Sequence, residues 1–375
     1  MILESLIGIF LGCLTGLIPG IHPNTIASLY SSANSEEAVI LVSMLVTHTF
    51  LNIIPATFVG VPEEDTALTI FPAHELVNRG EGGKAISISA FSSLFSAILS
   101  LPLFYVVAAI SSFDLSFFYK FAIIFALIFF LRYEKDTFGG SLSTLKRRLY
   151  FLAVFFVSGI LGFKALEAGD FYFPLLTGLF ATPMLLQSLG SEKIVEQKVM
   201  FCLPNPVDVV KGVFAGFIVS LFPGISSGVA TGIASANSKS SESYVSSISS
   251  ANTSAAILSL AMLHSEKVRS GIAEALKGAR EALFLLPLFV LVAAIIATAI
   301  TLLLIYPSSK VFSKVKVGKV SLFVLIFLIV LSLHFNGVFG LAIYFSASAV
   351  GLISYALKVR PIACMGSVML PVLFR

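Results

Sequence analysis

Charge is what this sequence has least of. Only 12% of its 375 residues are Asp, Glu, Lys or Arg, against 57% hydrophobic, and the mean hydropathy is +0.99. A soluble domain cannot carry so much apolar surface behind so few charges, so the composition implies an all-α polytopic membrane protein. The apolar runs are long and continuous, which excludes an outer-membrane barrel built from short alternating strands. A net charge of only +4, with the basic residues lying between apolar runs, leaves no footprint for nucleic acid. Cysteine is scarce as well. Cys13, Cys202 and Cys364 stand far apart in or beside apolar segments, so they read as small buried hydrophobes and not as a disulfide or metal framework. No Gly-x-x-x-x-Gly-Lys-Ser/Thr stretch is present, and ATP hydrolysis has no support. The pair His74-Glu75 lacks the second histidine of a zinc helix, position 78 being Asn. With no nucleophile–base spacing either, the chain is read as no enzyme, without a cofactor. The start, Met1-Ile2-Leu3-Glu4, has no basic run before its apolar segment and reads as a retained span.

What is present is one stretch, twice. Gly8, Gly12, Pro19 and Gly20 near the N-terminus recur as Gly212, Gly216, Pro223 and Gly224, at a constant offset of 204 residues. Each copy is an apolar helix with a small residue at every fourth position, which lets another backbone approach closely. Each then meets Pro-Gly, which removes a helix donor and permits positive φ, so the helix stops or breaks. A broken helix at membrane depth is tolerated where it is buried in protein or lines a cavity, and a matched pair of breaks points to a transporter's binding site.

About twelve apolar elements follow, over 5–18, 38–58, 85–110, 117–131, 149–163, 171–189, 207–222, 244–263, 281–306, 318–334, 337–357 and 361–374. The expected division is a first membrane repeat over 1–190, a linker over 191–204 and a second repeat over 205–375. The basic loop Lys146-Arg147-Arg148 and its neighbours Arg132 and Lys135 belong on the cytoplasmic side, as do Lys310, Lys314, Lys316 and Lys319. The loop 111–116, without Lys or Arg, is then external while its repeat counterpart 307–319 is cytoplasmic. Equivalent loops on opposite sides imply inverted repeats, with Pro-Gly-broken or re-entrant helices meeting near the midplane. That requires one element between the two basic loops not to cross. The echo extends at the same offset from Thr47-His48-Thr49 to Ala251-Asn252-Thr253. The serine-rich run 235–254 reads either as a flexible linker or as the lining of a polar cavity.

Helices restarting after Pro19-Gly20 and Pro223-Gly224 aim free N–H groups at the midplane, where they attract carboxylate or phosphate. His22, Asn24, Thr25, Asn52, Ser226, Ser227, Gly228, Asn252 and Thr253 are the groups expected to complete an anion site without a buried Lys or Arg. Histidine titrates near neutral pH, so His22 either gates a proton or satisfies carbonyls freed at the break. His48 lies inside an apolar span and is a candidate for ion coupling. Glu63, Glu64 and Asp65 either hold H+ or Na+ or simply suit a helix N-terminus.

These motifs resemble a known family. Gly16-Leu17-Ile18-Pro19-Gly20 and Ser220-Leu221-Phe222-Pro223-Gly224-Ile225-Ser226-Ser227-Gly228 are similar to segments of the large membrane subunit of tripartite tricarboxylate transporters, the TctA family. So are Gly60-Val61-Pro62 with Asp65-Thr66-Ala67, Gly80 and Gly83, and the stretch Ser250 to Ala256. The chain departs from the pattern at Ile21-His22-Pro23-Asn24 and at Glu63. The resemblance implies secondary uptake of carboxylates such as citrate across the cytoplasmic membrane, coupled to an ion gradient. It implies partners too: a small membrane subunit and a solute-binding protein, with a homodimer as one assembly. The alternative is translocation of a polyprenyl phosphate or other lipid phosphate, since Pro223-Gly224-Ile225-Ser226-Ser227-Gly228 is also similar to a motif of a family associated with that task.

Overall fold

The computed structural model describes the chain except residues 19–21, 28–31, 59–69, 112, 114–115, 136–139, 170, 191–194, 222–226, 236–237, 239, 265–270, 315 and 375. Among the described residues there are helices and no strands. The first half contains α1 (Ile2–Leu17), α2 (Pro23–Ala27), α3 (Ser35–Leu51), α4 (Ile53–Phe58), α5 (Ile70–Asn78) and α6 (Gly82–Ile110). It continues through α7 (Ser116–Tyr133), α8 (Gly140–Ala168), α9 (Tyr172–Leu176) and α10 (Thr182–Ser188), the last two joined by a π turn over Thr177–Ala181. The second half holds α11 (Pro206–Ser220), α12 (Ser227–Ser235), α13 (Ser241–Ser259), α14 (Gly271–Ala275), α15 (Leu286–Phe312), α16 (Val317–Ala356) and α17 (Gly366–Phe374). Five segments are long and apolar enough to cross a membrane: Ser35–Phe58, Gly82–Ile110, Gly140–Ala168, Leu286–Phe312 and Val317–Ala356.

Local sequence explains where the central helices begin. Asn34 caps α3, accepting from the N–H groups of Glu36 and Glu37, while the Glu37 carboxylate accepts from the Asn34 N–H at 2.8 Å. This reciprocal pair satisfies donors that the first turn leaves free. Asn205 caps α11, with Pro206 at the first position, and Ser240 caps α13 by accepting from Ser243 N–H at 3.2 Å. α16 has 40 residues, about 60 Å of helix, twice a bilayer core. It does not run straight: Gly337, at φ 63°, breaks it where the sequence separates 318–334 from 337–357.

α1 lies parallel to α3. A Cβ on Gly8 would stand 2.3 Å from the Ile40 carbonyl oxygen, and one on Gly12 would stand 2.5 Å from Thr47 Cβ. α11 lies parallel to α13 in the same manner, with Gly212 against the Ser247 carbonyl and Gly216 against Ser254. Ser250 and Ser254 donate to the Val209 and Val213 carbonyls of α11 at 2.7 and 3.2 Å. Parallel neighbours require the chain to return between them. α2 and α12 lie on those returns; the two Pro-Gly pairs are outside the described residues.

The contacts also set the register between the halves. Ile40, Ser43 and Thr47 meet their glycines as Ser247, Ser250 and Ser254 meet theirs, an offset of 207 and not 204. The three extra residues fall between the glycine helix and its partner. His48 therefore corresponds in packing to Ala255, and Asn252 to Leu45.

α13 is the central helix, buried on nearly every side. Its serines form a ladder with α6: Ser92 donates to Ser246 Oγ at 2.9 Å, Ser96 to the Ser250 carbonyl at 2.7 Å, and Ser100 to Ser254 Oγ at 3.2 Å. Ser249 donates to Ser89 Oγ at 2.7 Å. Over Ser241–Ser259 the serine-rich run is therefore a core helix and not a flexible linker. Ser246, Ser249, Ser250 and Ser254 are engaged in helix–helix contacts, while its first turn, at Glu242 and Ser243, faces a cavity.

Both basic loops lie at the end of the bundle where α6, α11 and α13 begin. Gly83 in α6 meets Ile305 near the end of α15, Ser188 bonds Ser321 at the start of α16, and Arg147 in α8 donates to the Lys358 carbonyl. The chain leaves this end through α11 and has returned to it by Ser240. α11 and α12 together thus begin and end at the same end of the bundle. Residues 195–205 carry no helix and lie along the start of α6, where Gln197 accepts from Gly82 N–H and Cys202 N–H donates to Ser87.

Candidate functional site

α3 crosses α13 in antiparallel fashion, and the crossing is polar. Thr253 donates to Thr49 Oγ1 at 3.3 Å, and Thr49 passes its own proton to the Val46 carbonyl at 2.8 Å. Beside it, fully buried His48 meets Thr15 of α1, Nδ1 to Oγ1 at 3.2 Å. Thr15 donates to the Gly12 carbonyl, so its oxygen is free to accept from His48 Nδ1–H. His22, the residue just before α2, lies edge-on to His48 with ring centroids 5.1 Å apart. One imidazole thus links the glycine helix, its return segment and α3.

Asn52 ends α3 buried, at 3% exposure. Asn252 is buried at 2%, and among the described residues neither its Oδ1 nor the Thr47 Oγ1 finds a hydrogen-bond partner. Unpaired polar atoms so deep in a membrane protein are costly. Among the described residues no group of His, Cys, Asp and Glu has metal-binding geometry.

A cavity of about 420 Å³ lies apart from this crossing, at the end of the bundle where α11 and α13 begin. Asn205, Asp208, Lys211, Ser240 and Glu242 line it. Its charges are matched internally, Lys211 to Asp208 at 3.2 Å and Lys84 to Glu242 at 2.7 Å.

A model of the tripartite tricarboxylate transporter TctA family matches residues 2–366. The chain belongs to that family. A protein of Methanocaldococcus jannaschii, described only as uncharacterized, is 32% identical over 243 residues, covering 60% of this chain and 58% of that one. No solved structure matches the chain.

In this TctA-family chain the structure joins His22 to His48 and Thr253 to Thr49, with Asn52 at the end of α3 and Asn252 next to Thr253 in α13, both buried. Thr15, absent from the sequence-predicted set, joins them through His48, and Thr47, also absent from it, lies against Gly12. Their signal is spacing, since both sit on the faces that carry the small residues of α1 and its partner. Pro19, Gly20, Glu63, Glu64, Asp65, Pro223, Gly224 and Ser226 lie outside the described residues. Asn24 and Thr25 fall in α2, and Ser227 and Gly228 open α12, positions described by backbone alone.

His74, at 74–75 in the short helix α5, serves a different role. Its Nδ1–H donates to the Thr57 carbonyl at 2.9 Å, and burial holds its pKa below the ordinary 6.5, with the hydrogen bond opposing.

Proposed function

We propose that this TctA-family chain is a secondary transporter of a small carboxylate anion in the cytoplasmic membrane, driven by an H+ or Na+ gradient. The observation that carries the reading is the buried polar crossing of α3 and α13, the partners of the two glycine helices α1 and α11. α2 and α12 each begin within three residues of a Pro-Gly pair in the sequence, and helix N-termini offer unpaired N–H groups to an anion. Asn252, Thr253 and Asn52 supply hydroxyl and amide groups beside them, so a carboxylate is held without a buried cation. His48, joined to His22, is the group proposed to carry the coupling proton; Glu63, Glu64 and Asp65 remain proposed coupling residues.

Two inverted repeats, over 1–190 and 205–375, complete the proposal. What supports them is direction: α1 and α3 run toward the end from which α11 and α13 depart. Alternating access would then exchange which hairpin is exposed. The family favours the carboxylate reading over lipid phosphate, and extends it to a small membrane subunit and a solute-binding protein as partners. Thermal melting of the purified protein with citrate, dicarboxylates, inorganic phosphate and a short polyprenyl phosphate tests the reading. A specific ligand raises the melting temperature with concentration. A carboxylate-dependent rise, absent in Asn252→Leu, is expected; a rise with the lipid phosphate alone would overturn it.

A further inference from the structure

The cytoplasmic loop between α7 and α8 is built as more than a topology signal. Arg147 donates to the Lys135 carbonyl at 3.2 Å and to the Lys358 carbonyl at 2.5 Å. Arg148 Nε donates to the Glu134 carbonyl at 3.2 Å. Two arginines from the start of α8 thus satisfy carbonyls that the end of α7 leaves free, and tie them to the segment before α17. Glu134 lies beneath, 1% exposed, with Arg147 Nε 3.4 Å and Arg360 Nε 3.9 Å from its carboxylate oxygens. Burial pushes this carboxyl above its ordinary range, while Arg360 and then Arg147 pull it back.

The charges do not balance. Arg132, Lys135, Lys146 and Lys358 also gather here, all exposed, and Arg360 is about half exposed. Against seven basic side chains the described residues place only Glu134, and the sequence adds Asp136.

A second feature points the same way. On α7 the exposed residues Phe118, Phe121, Phe125, Ile128 and Arg132 recur at intervals of three and four, forming one stripe along the helix. An apolar stripe that runs the length of a helix and ends in a cation matches a lipid acyl chain below its phosphate. We propose that this corner binds one anionic phospholipid, its phosphate held by Arg132, Lys135 and Arg360 and its chain lying along the α7 stripe. The lipid would pin α7 to the bundle, at the point where Arg147 and Arg148 already hold its end.

The test uses the full chain in a zwitterionic detergent, with native mass spectrometry to count bound lipid and thermal melting to read its effect. Phosphatidylglycerol is compared with phosphatidylcholine and with glycerol phosphate. One phosphatidylglycerol per chain should remain bound and raise the melting temperature, and the other two should not. The double variant Arg132→Gln/Lys135→Gln, at exposed positions, should bind it ~30-fold more weakly. Lys164→Gln, exposed at the opposite end of α8, should behave as wild type. Equal binding of the two phospholipids, an equal response to glycerol phosphate, or full retention in the double variant would each overturn the proposal. The carboxylate response of the transport site is read separately and stays intact if only this site is wrong.

Discussion

Gly212 has no room for a side chain: a Cβ there would lie 2.5 Å from both the Ser247 carbonyl oxygen and Ser250 Cβ. Gly212→Val should therefore force α11 off α13 and cost at least ~1–3 kcal/mol, seen as a lower melting temperature in detergent. Gly190→Ala, where nothing stands within 4 Å, should melt as wild type. At His74 the argument is electrostatic. Its folded pKa is depressed, so the neutral ring is favoured in the fold, and the unfolded chain binds the proton first as pH falls. Stability is full above about pH 6.5 and declines as the pH drops below it. His74→Gln should flatten that decline in melts taken between neutral and mildly acid pH. The glycine positions were legible in sequence because spacing alone implies close approach. The unpaired Asn252 Oδ1 and Thr47 Oγ1 were not, since satisfaction depends on neighbours the sequence does not name.

At the scale of the element, α13 shows how a helix rich in serine can be a core helix. Its hydroxyls reach α6 and α11, so their polarity is absorbed by partners. Interhelical hydrogen bonds in membranes are worth about 0.6 kcal/mol each, and the ladder depends as much on small size as on bonding. Ser96→Ala should accordingly shift the melt little, whereas Ser96→Leu should destabilise strongly by separating α6 from α13. Serine spacing in α6, at 89, 92, 96 and 100, was a readable signal that this face meets another helix. The run in α13 was harder, because composition alone fits a linker equally well. The half-to-half register failed in sequence for a related reason. The offset of 204 holds for the glycine helices, but three added residues shift their partners to 207, and only contacts reveal it.

For the whole molecule, the arrangement rests on α3 and α13 crossing at Thr49 and Thr253. With Cys13, Cys202 and Cys364 replaced, Thr49→Cys/Thr253→Cys should form a disulfide under mild oxidation, detected by a mobility shift that reduction removes. The count of crossings was legible in sequence only as a parity condition on the two basic loops, and a return through α12 is one arrangement that meets it. If this crossing is the transport site, substrate movement must depend on it. The decisive measurement is gradient-driven uptake of labelled citrate and smaller dicarboxylates by proteoliposomes holding wild type, Asn252→Leu or Gly190→Ala. The account predicts uptake by wild type and Gly190→Ala that collapses when the gradient is dissipated, and at least ~100-fold less by a folded Asn252→Leu protein. Equal uptake by Asn252→Leu, or wild-type uptake no greater than that of empty vesicles, would contradict it.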